Sequence, residues 1–195
     1  LDTALWDLNA RAAKLPLHHY LGANVLDAVP AYASGGYYLS GKTPKMLGQD
    51  RLVNAYAAAM LYGTPVVIID FGTAITFDIV SSKNEYLGGM ILAGIRTSLE
   101  ALAQKTALLP KLSLANPKEF IGRNTKNSIL SGTVYGFARL TDGLITQIKD
   151  TIGKDTRVIA CGGDAELINA YCRKIEKIDL NLTLKGINLI YQKIK

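Results

Sequence analysis

Residues 66–80 have the sequence VVIIDFGTAITFDIV, in which two apolar runs flank a Gly-Thr pair. Short runs rich in Val, Ile and Phe on either side of a tight turn predict a strand, a turn at Gly72 and Thr73, and a second strand. Asp70 lies within the first run. An ionised carboxylate in an apolar interior is costly unless it is paired. We therefore expect Asp70 either to have a polar partner or to lie at a strand end where a charged ligand binds.

Further elements are predicted on both sides of this hairpin from the spacing of apolar residues and from helix stop signals. They are a helix at 49–61, a strand at 85–94, helices at 95–109 and 124–152, a strand at 157–161, a helix that follows Gly162 and Gly163, and a terminal helix at 182–195. Three meandering strands followed by alternating helices and strands predict the α/β class, with a mixed sheet flanked by helices.

The first forty residues form a separate predicted segment. Leucine spacing within 1–15 predicts a helix, and 28–40 predict a strand that runs into a glycine-rich stretch. The polar sequence SGKTPK at 40–45 is typical of a linker. We therefore divide the chain into a short helix-strand segment, 1–40, and a larger unit, 41–195.

Composition narrows the function classes. The chain has 195 residues, of which 49% are hydrophobic and 19% charged, and a formal net charge of +6. These values are typical of a soluble globular protein, and no apolar run approaches the roughly 20 residues of a membrane span. Lys and Arg are scattered, so we expect neither a nucleic-acid nor a membrane partner. The opening residues carry acids and do not resemble a secretory signal, so we expect a cytoplasmic protein.

Two glycine turns could bind anions. At Gly72 and Thr73 the backbone N–H groups and the threonine hydroxyl suit a phosphate, and Asp70 offers an oxygen ligand to an accompanying cation. The alternative is that Asp and Gly serve only turn formation. Gly162 and Gly163 lie between a strand and a helix, where a close ligand approach is favourable, but Gly-Gly turns are also common without ligands.

Two helix starts carry candidate site residues. Asp50 opens the helix at 49–61 and is either an N-terminal cap or a carboxylate that takes a proton from an alcohol. Beside it, Arg51 could pair with an anionic group. Thr125 lies at the start of the long helix, where the two alternatives are a role in capping the helix and a contact with a substrate. Within that helix, Gly132 and Gly136 are four residues apart and predict close helix packing.

Six motifs in order carry a family resemblance. They are LGQDRLVNA, VVIIDFGTAITFD, YLGGMILAGIRTSLEAL, TALLPKL, IGRNTKNSILSG and ACGGDAELI. From about Gly41 to the C-terminus, this set closely resembles type III pantothenate kinases. The resemblance implies a subdomain of the actin-like ATPase superfamily, with a ribonuclease-H-like fold.

The resemblance also implies roles for matching residues. Asp50 corresponds to the general base that activates the pantothenate hydroxyl, and Asp70 to a ligand of a monovalent cation, potassium or ammonium. Gly48, Gln49, Arg51 and Thr125 correspond to pantothenate contacts. Thr73, with Gly72, corresponds to an ATP phosphate contact, and Gly162 and Gly163 lie near the adenosine.

The function implied is the ATP-dependent phosphorylation of pantothenate, the first step of coenzyme A biosynthesis. ATP would carry magnesium, and the protein would act as a homodimer. The family's phosphate loop, Asp-x-Gly-Asn-Thr, does not occur in this sequence. We therefore expect impaired catalysis. The alternatives are a non-catalytic module that binds nucleotide or pantothenate or forms dimers, and a recombined scaffold without an evolved function.

Residues 1–40 resemble a different family. Their pattern ALWDL, LPL, LG and VPAYASGG is similar to the mandelate-racemase-like branch of the enolase superfamily. None of that family's catalytic lysines or metal-binding acids falls in the segment. Together the two resemblances predict a chimera that joins near Ser40 and Gly41.

Overall fold

A five-stranded mixed sheet forms the centre of the structure, a computed structural model that describes residues 48–194. The predicted helix and strand of 1–40, and the linker, lie outside the described residues. The strands are β1 (Val66–Phe71), β2 (Ala74–Val80), β3 (Tyr86–Ala93), β4 (Arg157–Cys161) and β5 (Lys177–Ile178). Their order is β3-β2-β1-β4-β5.

The strand directions define the topology. β2 is antiparallel to both β1 and β3, whereas β4 is parallel to β1 and β5 is parallel to β4. The predicted mixed sheet flanked by helices is therefore confirmed for the described residues. β5 is the strand that the sequence did not predict.

Five described helices cover the sheet. They are α1 (Gln49–Tyr62), α2 (Ile95–Lys105), α3 (Thr125–Ile152), α4 (Ala165–Asn169) and α5 (Leu182–Ile194). None of the helices in this part of the chain has the length and hydrophobicity needed to cross a membrane.

The helices divide between the two faces because side chains alternate along a strand. Val67, Ile69 and Phe71 of β1 pack in the cluster that contains α2, α3 and α4 residues, and we call this side the α3 face. Val66 and Ile68 pack on the opposite side with α1 and α5, the α1 face. The same alternation puts the Asp70 side chain on the α1 face.

Two details of the helices differ from the sequence predictions. α2 ends at Lys105 rather than at residue 109, because Thr106 has an extended backbone and the 91% exposed Leu108 gains little from continuing the helix. Gly132 and Gly136 are exposed, and a Cβ at either position would meet no atom within 4 Å. The expectation that they allow close helix packing is therefore wrong for the described residues.

The close approach of α5 to α1 depends on Gly186. A Cβ built there would lie 2.7 Å from Val53 Cγ1 and 2.8 Å from the Val53 carbonyl oxygen. The carbonyl belongs to the α1 backbone and cannot move aside cheaply. The glycine therefore sets how closely the two helices pack over the α1 face.

We predict that Gly186→Ala destabilises the protein by about 1–3 kcal/mol through overpacking, although alanine is the better helix former. Gly143→Ala is the matched control, since Gly143 lies within α3 and a Cβ there meets nothing within 4 Å. That variant should gain up to about 1 kcal/mol. Urea unfolding measures both, and a Gly186→Ala protein as stable as Gly143→Ala would contradict the prediction.

Candidate functional site

Asp70 and Asn54 form the centre of the site. Asn54 lies on α1 and is 1% exposed, and its Nδ2 donates to Asp70 Oδ2 at 3.2 Å. On either side of Asp70 in the sheet stand Thr76 of β2 and Cys161 of β4. The carboxylate therefore has a polar partner, which is one of the two alternatives that the sequence left open, and this partner lies on α1 rather than in the hairpin turn.

The orientation of the Asn54 amide is fixed from its other end. Thr183, in the first turn of α5, donates its hydroxyl to Asn54 Oδ1 at 2.7 Å. Because Oδ1 accepts from Thr183, Nδ2 must face Asp70, which can only accept while it is ionised. Nδ2 also lies 3.7 Å from Cys161 Sγ. Through Thr183, α5 therefore orients Asn54, and Asn54 in turn binds Asp70.

Gly162 brings the turn after β4 against the same carboxylate. Its φ is +92°, in the region that favours glycine, and a Cβ would lie 2.4 Å from Asp70 Oδ1. At the next position, Gly163, a Cβ would meet nothing within 4 Å. Of the two predicted glycines, only Gly162 is required by the space around Asp70.

Charge and burial act together on Asp70. Burial raises the pKa of the Asp70 carboxyl, the neighbouring Asp50 charge raises it further, and hydrogen bonds from Asn54 and Cys161 oppose the shift. Burial also raises the pKa of the Cys161 thiol far above neutrality, so this cysteine stays protonated. An ionised Asp70 is therefore costly in the free protein and would be stabilised by a bound cation.

Asp70 offers carboxylate oxygens, the kind of ligand that hard cations prefer. The turn after β4 packs tightly against this carboxylate, since a Cβ at Gly162 would lie 2.4 Å from Asp70 Oδ1 and 2.6 Å from Phe71 N. Within 48–194, no group of three or more His, Cys, Asp or Glu side chains is arranged for a metal ion. Asp70 would therefore supply one ligand, and other oxygens would complete the coordination.

Asp50 lies exposed in the first turn of α1. The N-cap is Gly48, and no side chain makes a capping bond there, so the alternative that Asp50 is the cap is wrong. A Cβ at Gly48 would lie 2.6 Å from Asp50 Oδ1, so the glycine leaves room for the carboxylate. Gln49, between them, is exposed. The Asp50 carboxylate is therefore open to solvent, and its charge acts on Asp70.

Arg51 points into the protein instead. Its Nε donates to Asp78 Oδ1 at 2.8 Å, and Nη2 lies 2.6 Å from the same oxygen without hydrogen-bond geometry. The side chains are 11% and 1% exposed. Asp78 also accepts from Tyr86 at 2.6 Å and from Thr76 at 3.1 Å. Burial acts to lower the pKa of Arg51, but the bond and charge of Asp78 raise it overall.

This buried pair fastens the start of α1 to β2 and β3. A Cβ at Gly89 of β3 would lie 2.5 Å from Arg51 Nη2, so the glycine makes room for the guanidinium. In this arrangement the guanidinium binds Asp78, and its role as a pantothenate contact stays a prediction. The geometry shows Arg51 as the anchor of the helix turn that carries Asp50.

The turn at Gly72 and Thr73 is exposed, and it is hydrogen-bonded to the start of α2. The Thr73 carbonyl accepts from Gly94 N and from Thr97 Oγ1, both at 2.9 Å. The hydroxyl of Thr73 makes no hydrogen bond with any described residue, so it can meet a ligand. The turn thus combines a fixed backbone with an open donor.

Thr125 lies apart from this group. It is the exposed first residue of α3, and Asn124 caps the helix by accepting from Asn127 N at 2.9 Å. Within 48–194, Thr125 makes no hydrogen bond with Asp50 or Asp70. The structure therefore brings together Asp50, Asp70 and Gly162, but it does not join Thr125 to them.

Several residues of the site were not predicted. Asn54 is four residues after Asp50 in an alanine-rich helix, and Asp78 occupies an inward position of an apolar strand. Both are polar residues in apolar surroundings, which is the signal that singled out Asp70. Thr183 carries no such signal, because its partner is 129 residues away.

The chain belongs to the type III pantothenate kinase family, whose profile matches residues 8–147. Type III pantothenate kinase from Halalkalibacterium halodurans is 43% identical over 158 residues, which cover 81% of this chain and 62% of that protein. Type III pantothenate kinase 1 from Symbiobacterium thermophilum is 47% identical over 156 residues, with 76% and 58% covered. This chain thus spans about three fifths of the length of these relatives.

A solved structure supports the fold alone. A Campylobacter jejuni protein described as a Baf family transcriptional activator has a TM-score of 0.54 and 24% identity, over 84% of this chain and 70% of that one. The family match begins at residue 8 and includes most of the segment that we compared with the enolase superfamily. Nothing in the comparisons supports an enolase-like segment or a chimera.

We predict opposite pH effects for two partly buried aspartates. The raised pKa of Asp70 means that its ionisation opposes folding, so Asp70→Asn should stabilise the protein at pH 7, with a gain that shrinks as the pH falls through the raised pKa and is lost below about pH 4, near the pKa of an unfolded aspartate. Burial acts to raise the pKa of Asp179, but hydrogen bonds from Lys185 and Tyr62 lower it overall. Asp179→Asn should therefore destabilise the protein at pH 7, with a loss that shrinks as the pH falls.

Thermal unfolding between pH 3 and pH 8 measures both effects. The buffers should contain tetramethylammonium as the only cation, so that no potassium or sodium offsets the Asp70 charge. Equal effects of the two substitutions, or an Asp70→Asn protein that is less stable than wild type at pH 7, would contradict the prediction.

Proposed function

We propose that this chain carries a pantothenate kinase site and phosphorylates pantothenate with ATP in coenzyme A biosynthesis. The observation that carries the proposal is the convergence of Asp50 and Asp70 at one end of the sheet, beside Gly162. Membership of the type III pantothenate kinase family supports phosphoryl transfer as the chemistry of this site.

In this proposal Asp50 is the general base. Its exposed carboxylate takes the proton of the pantothenate hydroxyl while the hydroxyl oxygen bonds to the γ-phosphorus of ATP. The bond from that phosphorus to the bridging oxygen breaks, and ADP leaves with the electron pair. General bases contribute typically 10²–10⁴-fold to a rate, and Arg51 supports the step by anchoring the turn that carries Asp50.

ATP would lie across the two glycine turns. Gly72 and Thr73 supply N–H and hydroxyl donors to the phosphates, and Gly162 and Gly163 leave space for the adenosine. Asp70 would hold potassium or ammonium next to the phosphates, and magnesium would arrive with ATP. The cation supplies positive charge, which stabilises the charge that develops on the transferred group.

Pantothenate would lie beside Gly48, Gln49 and Asp50. Thr125 is proposed as a further pantothenate contact, although it makes no hydrogen bond with Asp50 or Asp70 in the structure.

The homodimer also belongs to the proposal. It is supported by the large apolar side chains that the described part leaves exposed, which include Phe120, Ile121 and Leu108.

We expect phosphopantothenate to form when the protein is incubated with pantothenate, ATP, magnesium and potassium, and mass spectrometry detects it. Asp50→Asn should reduce the rate by at least about 100-fold and leave pantothenate binding within a factor of about two. Asp155→Asn, at an exposed carboxylate beyond α3, is the matched control and should retain the wild-type rate.

The outcomes separate the remaining alternatives. A wild-type rate below the roughly 1–100 per second of ordinary kinases would support impaired catalysis, as the sequence led us to expect. Binding of both ligands without product would favour the non-catalytic module. Equal rates in Asp50→Asn and wild type, or failure of the folded protein to bind pantothenate, would contradict the proposed function.

A further inference from the structure

An ion pair outside the Asp50–Asp70 group connects the two glycine turns. Arg96 Nε lies 3.0 Å and 3.2 Å from the two carboxylate oxygens of Asp164, and Nη2 lies 2.7 Å from Oδ1. The Asp164 side chain is 7% exposed and the Arg96 side chain 62%. A guanidinium that reaches both oxygens of a carboxylate fixes direction as well as distance.

Asp164 belongs to the turn formed by Gly162 and Gly163. Its N–H donates to the carbonyl of Phe71, the last residue of β1, at 3.2 Å. Asp164 is also the N-cap of α4, but its side chain makes no capping bond. The Asp164 carboxylate therefore binds Arg96 instead of accepting a hydrogen bond from the first N–H groups of α4.

Arg96 belongs to the element that holds the other turn. It is the second residue of α2. The N-cap of this helix, Gly94, and its third residue, Thr97, both donate hydrogen bonds to the Thr73 carbonyl. A Cβ at Gly94 would lie 2.3 Å from the Thr73 carbonyl oxygen and 2.4 Å from that of Gly72. The start of α2 and the Gly72–Thr73 turn are thus in direct contact.

We propose that the Arg96–Asp164 pair is a clamp that sets the spacing between the Gly72–Thr73 turn and the Gly162–Gly163 turn, and that Arg96 is a positioning residue for ATP. This inference rests on the proposed function, in which ATP phosphates and adenosine contact the two turns. The pair joins turns whose residues are separated by about ninety positions in the sequence.

A plain stabilising role predicts a different result. The Arg96 side chain is 62% exposed, so solvent screens part of the ion pair, and without Arg96 the buried Asp164 carboxylate can turn to cap α4 instead of staying unpaired. Loss of the clamp should therefore weaken ATP binding more than it weakens the fold. Pantothenate, proposed to bind beside Asp50, should not sense the change.

Titration calorimetry of ATP and of pantothenate tests the clamp on wild type, Arg96→Ala, Arg96→Lys and Arg139→Ala. The last variant is the matched control, because Arg139 pairs with Asp142 at 2.9 Å and is 50% exposed. We expect Arg96→Ala to weaken ATP binding about tenfold, since small displacements of positioning groups have effects of this order or larger. Arg96→Lys should recover part of the loss, and the control should match wild type.

Hydrogen exchange of the ligand-free variants tests the clamp without ATP. Arg96→Ala should speed exchange in peptides that cover residues 71–74 and 162–165, and Arg139→Ala should not. Unchanged exchange in both peptides, or unchanged ATP affinity in Arg96→Ala, would overturn the inference. A wild-type protein that does not bind ATP would refute the proposed function and ATP positioning together, whereas the exchange result would still decide whether the clamp exists.

Discussion

The buried end of β1 imposes the constraint on which the site depends, because a carboxylate must be kept there among apolar neighbours. Asp70 is held by the Asn54 amide, which is itself oriented by Thr183 of α5. The contact between α1 and α5 requires Gly186, and the approach of the turn after β4 requires Gly162. A strand, two helices and a turn are therefore arranged around one charge.

Keeping an ionised Asp70 lowers the stability of the free protein, and a bound cation would offset that cost. Burial disfavours the ionised form of Asp70, and the nearby carboxylate of Asp50 disfavours it further. A cation bound with ATP phosphates would reverse both effects. Groups with perturbed ionisation cluster at functional sites for this reason, and the family membership of the chain is consistent with a phosphate-binding role.

Local patterns in the sequence were enough to predict the hairpin, the third strand, the long helix and the importance of Asp70. They were not enough for β5, which has two residues and depends on its pairing with β4. Nor could they reveal the Arg96–Asp164 pair or the bond from Thr183 to Asn54, whose partners are 68 and 129 residues apart. Periodicity reports which face a residue occupies, whereas such contacts arise only from the packing of distant elements.

The most direct test of the account is the cation dependence of ATP binding through Asp70. ATP should be titrated calorimetrically into wild type and Asp70→Asn, each in potassium chloride and in tetramethylammonium chloride at equal ionic strength. We predict that potassium strengthens ATP binding to wild type by at least about fivefold, the lower range of coupling between bound ligands, and does not change binding to Asp70→Asn. Equal affinity of the wild type for ATP in the two salts would contradict the claim that Asp70 is held in place for a cation.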